Sequence, residues 1–516
     1  MWSGTRHPGP SLLGPPDLEM SLSVSKQRIG IALLVISLLS IVWIVPAQAQ
    51  VQGGGWSEPI RLSSEAGKAS EAYLVADQYG YVHCFWTEIL FENQQTVIKY
   101  SRFDGTTWTK PNDIYVTSQG IVSVSPVVDQ KGILHIAWAE GLIGPAYYTS
   151  APANNALSAQ SWAKPIQINV PARVVHLRAD SKGVLHMLYI DQTDTAGLYY
   201  IRSEDTGITW SEPVWLDPDI LPGHIPDSLS FELDENDGLH AVWFYGTREE
   251  NQTPDWVRYA HSLDGGHTWS APFLIDRQQT ESNHNLTFAG PIMTVQGQTV
   301  HVVWAAGGLP YRYHRFSTDA GRTWSEPVHI FGDLHGQAFD GFAVDRAGRV
   351  HFFGQIRYPM GIYHAYWDQT QWSKPSLVYL ISEDGSEESM GDRVHAHYTL
   401  PVVRAGNQLV LTFTDGPADP NRRLFVTYRT MDDILPLESM PTPVPPPTSV
   451  PTSRPTPMQT TPMPTETAIA PLLASAKVQP VGSVPAPDHA IRVALVPTLL
   501  ILGVTMIIKL LNRRKD

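Results

Sequence analysis

Tryptophan recurs at positions 56, 108, 162, 210, 269, 324 and 372, each time opening the tetrapeptide Trp-x-x-Pro. The spacing is roughly 50 residues, the range of propeller blades. No other feature constrains the fold as strongly. A unit of that length cannot bury its own apolar faces and must stack on its neighbours.

Ahead of four of these tryptophans stands a fuller motif. It reads Ser203-Glu-Asp205-Thr-Gly207-Ile-Thr209-Trp210, Ser262-Leu-Asp264-Gly-Gly266-His-Thr268-Trp269 and Ser317-Thr-Asp319-Ala-Gly321-Arg-Thr323-Trp324, with a shorter form at Asp104-Gly105-Thr-Thr107-Trp108. Asp, then Gly, then Thr and Trp describe a tight hairpin turn. The carboxylate accepts backbone N–H groups and Gly supplies a positive φ. The tryptophan is expected to fold over the turn, largely buried, and Pro to begin an edge strand that tolerates a missing N–H. A catalytic carboxylate is needed once or twice, so Asp104, Asp205, Asp264 and Asp319, with Trp108, Trp210, Trp269 and Trp324, are read as structural.

A second repeat lies between the first. Asp77-x-x-Gly80-x-Val-His83, Asp129-x-x-Gly132-x-Leu-His135, Asp180-x-x-Gly183-x-Leu-His186 and Asp345-x-x-Gly348-x-Val-His351 share a frame, with looser copies ending at His240 and His301. Each reads as a hairpin turn running into a strand. The histidines fall at equivalent places in different units, a wide ring and not a tetrahedral cluster, so they are expected to be hydrogen-bonded structural groups. No metal and no cofactor is expected.

Counting strands between tryptophan marks gives six full units and a seventh with strands near Leu400–Val403, Leu409–Phe413 and Leu424–Tyr428. The leftover N-terminal piece Trp56–Leu62 supplies the missing fourth strand and removes both exposed edges. The expected fold is an all-β, seven-bladed β-propeller closed by the N-terminal strand, with six blades as the alternative.

The repeated turn resembles the Asp-box, or bacterial neuraminidase repeat, of the sialidase superfamily. The resemblance covers about residues 56–430 and implies a propeller. Sialidases use three arginines on the substrate carboxylate, a Tyr–Glu nucleophile pair and an Asp acid/base. Their first arginine sits in a Phe/Tyr-Arg-Ile-Pro motif, which this chain lacks; Pro59-Ile60-Arg61 and Gln355-Ile-Arg357-Tyr358-Pro359 have its letters in other arrangements. Sialidase activity is therefore not expected. Asp-boxes also occur in propellers that do not cleave sialic acid, and fold does not fix function.

The termini differ in composition from the repeats. Residues 1–49 read as a signal peptide, with Lys26 and Arg28 ahead of the apolar run Ile29–Val45 and the small-x-small site Ala47-Gln48-Ala49; Met20 is a candidate start. The propeller spans 50–432. Residues 433–489, rich in Pro and Thr, form an extended solvated stalk. Residues 490–511 carry a second apolar run, read as a transmembrane helix, and 512–516 a basic cytoplasmic tail. This places the propeller outside the cell on a single-pass anchor. Cys84 is the one cysteine, so no internal disulfide forms. With 50 acids against 36 Lys and Arg, the net charge of −14 argues against nucleic acid as a partner.

In a four-stranded blade, the Asp-containing turns share one face and the other loops share the opposite one. Ligand groups are expected on that opposite face. After second strands come Glu88, Glu140, Asp191, Arg357, Tyr358 and Asp415; between blades come His224, Asp227, His284, His335, Asp340, Asp392, Arg393, His395 and His397. Converging polar groups of this kind define a pocket. Two functions follow. One is a cell-surface module binding an extracellular glycan or protein through His224, Asp227, His284, His335, Asp340, Asp392, His395 and His397. The alternative is a sialidase-like exo-glycoside hydrolase using a carboxylate pair such as Glu88 and Glu140, with Arg312, Arg357, Tyr358 and Arg393 at the substrate.

Overall fold

A computed structural model describes residues 54–218, 224–247, 256–277, 290–306, 311–332, 334, 340–357, 359–382, 393–417 and 422–438. The expected signal peptide, stalk and transmembrane segment lie outside them. Among the described residues no helix is long and apolar enough to cross a membrane.

These residues form seven four-stranded antiparallel sheets. Blade one is typical, with Gly67–Ala76 innermost, then Val82–Leu90, Thr96–Phe103 and Asn112–Thr117 at the rim. Second strands are buried along nearly their whole length, as in Leu185–Asp191. Each is covered by a neighbouring blade on both faces, which explains the near-continuous apolar runs.

Blade seven takes Arg393–Arg404, Gln408–Pro417 and Arg423–Thr430 from the end of the repeats and Ile60–Arg61 from the start. Ile60 pairs with Val426 and Arg61 with Phe425. Leu62 N–H continues the ladder to Leu424 O at 2.9 Å. The expected closure holds. Strands run several residues further at the end away from the Asp turns: Leu400–Val403 becomes Arg393–Arg404, and the first strand of blade one spans Gly67–Ala76. Those extensions carry β-bulges, between Ala69 and Ala72 and between Val394 and Leu400, which break the period-two pattern that marks a strand.

The core is seven apolar clusters, each holding one of the seven tryptophans or packed against it. Trp56 is buried in the cluster joining blades six and seven. Trp108, Trp210, Trp269 and Trp324 are half-buried, not largely buried as expected. Each ring packs against its seam cluster, while the turn beneath it lies at the surface. The indole N–H groups of Trp210 and Trp324 donate to Gly207 O (3.2 Å) and Gly321 O (3.1 Å), each closing its own turn.

Candidate functional site

The turn face is built from two coupled hydrogen-bond systems. In the Asp turns, Asp264 Oδ1 accepts Thr268 N–H at 2.9 Å and Ser262 O–H at 2.8 Å, while Oδ2 accepts Thr268 O–H at 2.6 Å. Asp205 and Asp319 repeat these contacts. Such donors stabilise the ionised form, and Asp264 lies at about 2 despite its partial desolvation. Asp104 accepts both Thr106 and Thr107 in the shorter turn.

In the other turns, Asp77 Oδ1 accepts Tyr79 and Tyr81 N–H, and Oδ2 meets His83 Nε2 at 3.1 Å. His83 Nδ1 meets Tyr100 Oη at 2.8 Å. The same Asp–His–Tyr series recurs as Asp129–His135–Tyr148, Asp180–His186–Tyr200 and Asp234–His240–Tyr259. The Asp–His separation widens to 3.4 and 3.5 Å in blades two and three. In blades five and six a histidine replaces the tyrosine: His301 with His314 at 3.0 Å and His351 with His364 at 2.9 Å. Burial pushes all four of these histidines below their ordinary range. They are neutral structural groups, and among the described residues no three His, Cys, Asp or Glu side chains gather for a metal.

On the opposite face, Glu88, Glu140, Asp191 and Asp415, expected after second strands, lie within them, and all but Asp191 bond residues outside their own blade. Glu88 is fully buried and accepts Trp86 Nε1–H (3.0 Å), Ser64 N–H (2.9 Å) and Ser64 O–H (2.7 Å). Glu140 takes the hydroxyls of Tyr115 and Thr117 from the outer strand of blade one. Asp415 takes Tyr379 O–H of blade six at 2.7 Å. Period two places Glu88 on the same strand face as Trp86, two residues earlier, and that face is the seam and not the channel. Glu88 and Glu140 thus serve different seams and do not form a facing pair. Asp191 is held by its own loop, through Thr193 and Thr195.

Arg312 and Asp340 are both buried and bound to each other in a two-point contact, Nε–Oδ2 2.9 Å and Nη2–Oδ1 3.0 Å. Asp340 borders the central channel, but its carboxylate is occupied by the guanidinium. His284, His335, Tyr358 and Asp392 lie outside the described residues. Only the backbone is described at His224, Asp227, Arg357, Arg393, His395 and His397, all in strands. Asp217, which takes Arg258 and Tyr245 in the seam between blades three and four, carried no motif.

The channel, about 410 Å³, is lined by the first strands. Within it Arg178 and Glu232 of adjacent blades pair at 2.6 and 3.0 Å, with His176 beside them, held by burial at about 3. At its mouth, between blades one and two, a smaller pocket of about 240 Å³ takes Ser70, Glu71, Tyr73, Thr87 and Arg422. The bulge between Ala69 and Ala72 creates this arrangement, because two residues, Ser70 and Glu71, oppose the single Thr87 across the ladder. Tyr73 O–H donates to Glu71 Oε1 at 3.0 Å. Burial pushes the Glu71 carboxyl up, while Tyr73 and nearby Arg422 oppose the rise.

No family model matches the sequence, and no curated protein does so. Among solved structures, the polysaccharide lyase Uly1 is 9% identical over 73% of this chain and 100% of its own, with a TM-score of 0.49. The NanB sialidase from Streptococcus pneumoniae is 14% identical over 79% and 72%, at 0.41. An α-L-arabinofuranosidase, Arb93A from Fusarium graminearum, is 11% identical over 60% and 93%, at 0.40. None of these similarities assigns a role to a residue of this chain.

Proposed function

We propose that this propeller is an extracellular glycan-binding module, tethered to the cell surface by its C-terminal segment, which grips its ligand at the channel mouth. One observation carries the reading: the bulge that turns Ser70 and Glu71 into the pocket beside Tyr73. A carboxyl, two hydroxyls and an aromatic face suit the hydroxyls and C–H face of a neutral sugar. A carboxylate ligand would need a preorganised cationic clamp; at the mouth Arg422 sits beside the Glu71 carboxyl, and Arg178 of the channel is committed to Glu232.

A glycan array probed with the full chain tests this. Binding of neutral glycans, reduced about tenfold or more by Glu71→Gln, is expected, a loss on the scale of one charge-assisted bond. Retention of a protein partner with no glycan bound would contradict it. The exo-glycoside hydrolase alternative draws on one observation, the raised carboxyl of Glu71 bonded to Tyr73, the property of a general acid. Glycoside turnover abolished by Glu71→Gln would favour that reading.

A further inference from the structure

Blade seven draws its third and fourth strands from opposite ends of the chain, so no turn joins them. Where the Asp turn of another blade would sit, a cleft of about 990 Å³ opens on the turn face between blades six and seven. Arg349, Lys374 and Arg429 border it, together with Asp432 and Asp433. Arg349 is neutralised by Asp345 and Asp433, each at 2.7 Å. The Lys374 and Arg429 side chains make no ion pair among the described residues, and Asp432 alone opposes them. In a chain of net charge −14, Lys374 and Arg429 are two cations in this cleft with no carboxylate bound to them among the described residues.

The cleft also exposes an unmet acceptor. Asp345 Oδ2 takes the His351 Nε2 proton at 3.1 Å. A neutral His351 then accepts at Nδ1, so His364 Nε2 donates to it, at 2.9 Å. This leaves a lone pair on His364 Nδ1. In blade five the matching atom, His314 Nδ1, takes Trp372 Nε1–H at 3.0 Å. In blade seven Trp56 lies edge-on to His364, at 6.3 Å and 78°, and makes no such bond. His364 is only 5% exposed and lines the cleft. The Nδ1 lone pair therefore has no donor from the neighbouring tryptophan and is open to one from the cleft.

We propose that the cleft is a second ligand site for a sugar acid, with the carboxylate on Arg429 and Lys374 and a ring hydroxyl donating to His364 Nδ1. It lies on the opposite face from the channel mouth and does not depend on that reading. Burial, with the charges of Arg429 and Arg349, keeps His364 well below its ordinary range, so the acceptor is present at neutral pH.

The test is a ligand-observed NMR titration of the full chain with galacturonate, galactose and inorganic sulfate. In the Glu71→Gln variant, where the mouth is weakened, galacturonate is expected to bind about tenfold more tightly than either of the others, because only it offers both the anion and the hydroxyl. Arg429→Gln should weaken it about tenfold, and the exposed Lys374→Gln about threefold. Glu71→Gln should leave it unchanged. Sulfate binding as tightly as galacturonate, or galactose doing so in the Glu71→Gln variant, would overturn the proposal, as would an unaffected Arg429→Gln. Weakening by Glu71→Gln alone would move the ligand to the mouth, which also overturns it.

Discussion

Tyr200 of blade three binds His186 of its own blade at 2.7 Å and lies directly beneath Gly266 in the Asp turn of blade four. Tyr148 stands in the same relation to Gly207, and Tyr259 to Gly321. The two sequence repeats are therefore one device: Asp, His and Tyr of one blade support the turn of the next.

Gly266 has a φ of +83°, and any Cβ there would collide with the Tyr200 ring, whereas Gly265, at +70°, faces open space. Gly265→Ala meets backbone strain alone, and Gly266→Ala adds overpacking of about 1–3 kcal/mol. Urea unfolding of the two variants checks this. Equal losses would mean the tyrosine support contributes nothing.

Asp264→Ala removes three accepted bonds at a solvent-facing turn. With screening discounted, the expected loss is about 1–2 kcal/mol, with glycan affinity unchanged. A binding defect in a fully stable variant would contradict the structural assignment.

The histidines set the acid sensitivity. His301 lies at about 4 in the fold but near 6.5 when unfolded. The unfolded chain therefore takes up its proton first as pH falls. Stability present above about 6.5 is lost progressively toward 4. The turn aspartates, at about 2, add a further loss only below about 4. Urea midpoints measured from pH 8 to 4 should fall from about 6.5 downward. A flat profile to pH 4.5 would show that the histidines are not buried neutral.

Ring closure has its own link. Arg404 of blade seven donates to Gly80 O at 2.5 Å and to Asp104 O at 2.6 Å in blade one, under Gly105 as the tyrosines lie under the other glycines. Arg404→Met should cost about 1–3 kcal/mol by leaving carbonyls unpaired. Deleting residues 50–62 should be far worse, exposing a strand edge and a seam together. A deletion variant of unchanged Tm would refute the closure.

The blade count, the closing strand and the turn chemistry were legible because they depend on local residues repeated in register. Other features depended on what faces what. Trp86-x-Glu88 and Trp138-x-Glu140 share spacing that puts acid and indole on one strand face, a signal for seam acceptors that the loop-based reading passed over. The shorter turn at Asp368, which accepts Thr370 and Gln371 N–H, escaped notice because Gln369 takes the left-handed position, φ 78°, that Gly105 fills elsewhere. Blade two replaces its turn with the short 3₁₀ segments Ala153–Asn155 and Ala159–Ser161 before Trp162. The mouth pocket and the cleft had no linear signature at all. One arises from a bulge, the other from joining the two ends of the repeat array.

The central claim is that ligand is held at the channel mouth by the bulged strand of blade one. Hydrogen–deuterium exchange of the full chain, with and without a glycan selected on the array, tests it most directly. Protection is predicted in Gly67–Ala76 and the adjoining Phe91–Gln95 loop, and in wild type but not Glu71→Gln. Protection confined to the turns around Asp205, Asp264 and Asp319, with the mouth unchanged, would contradict it.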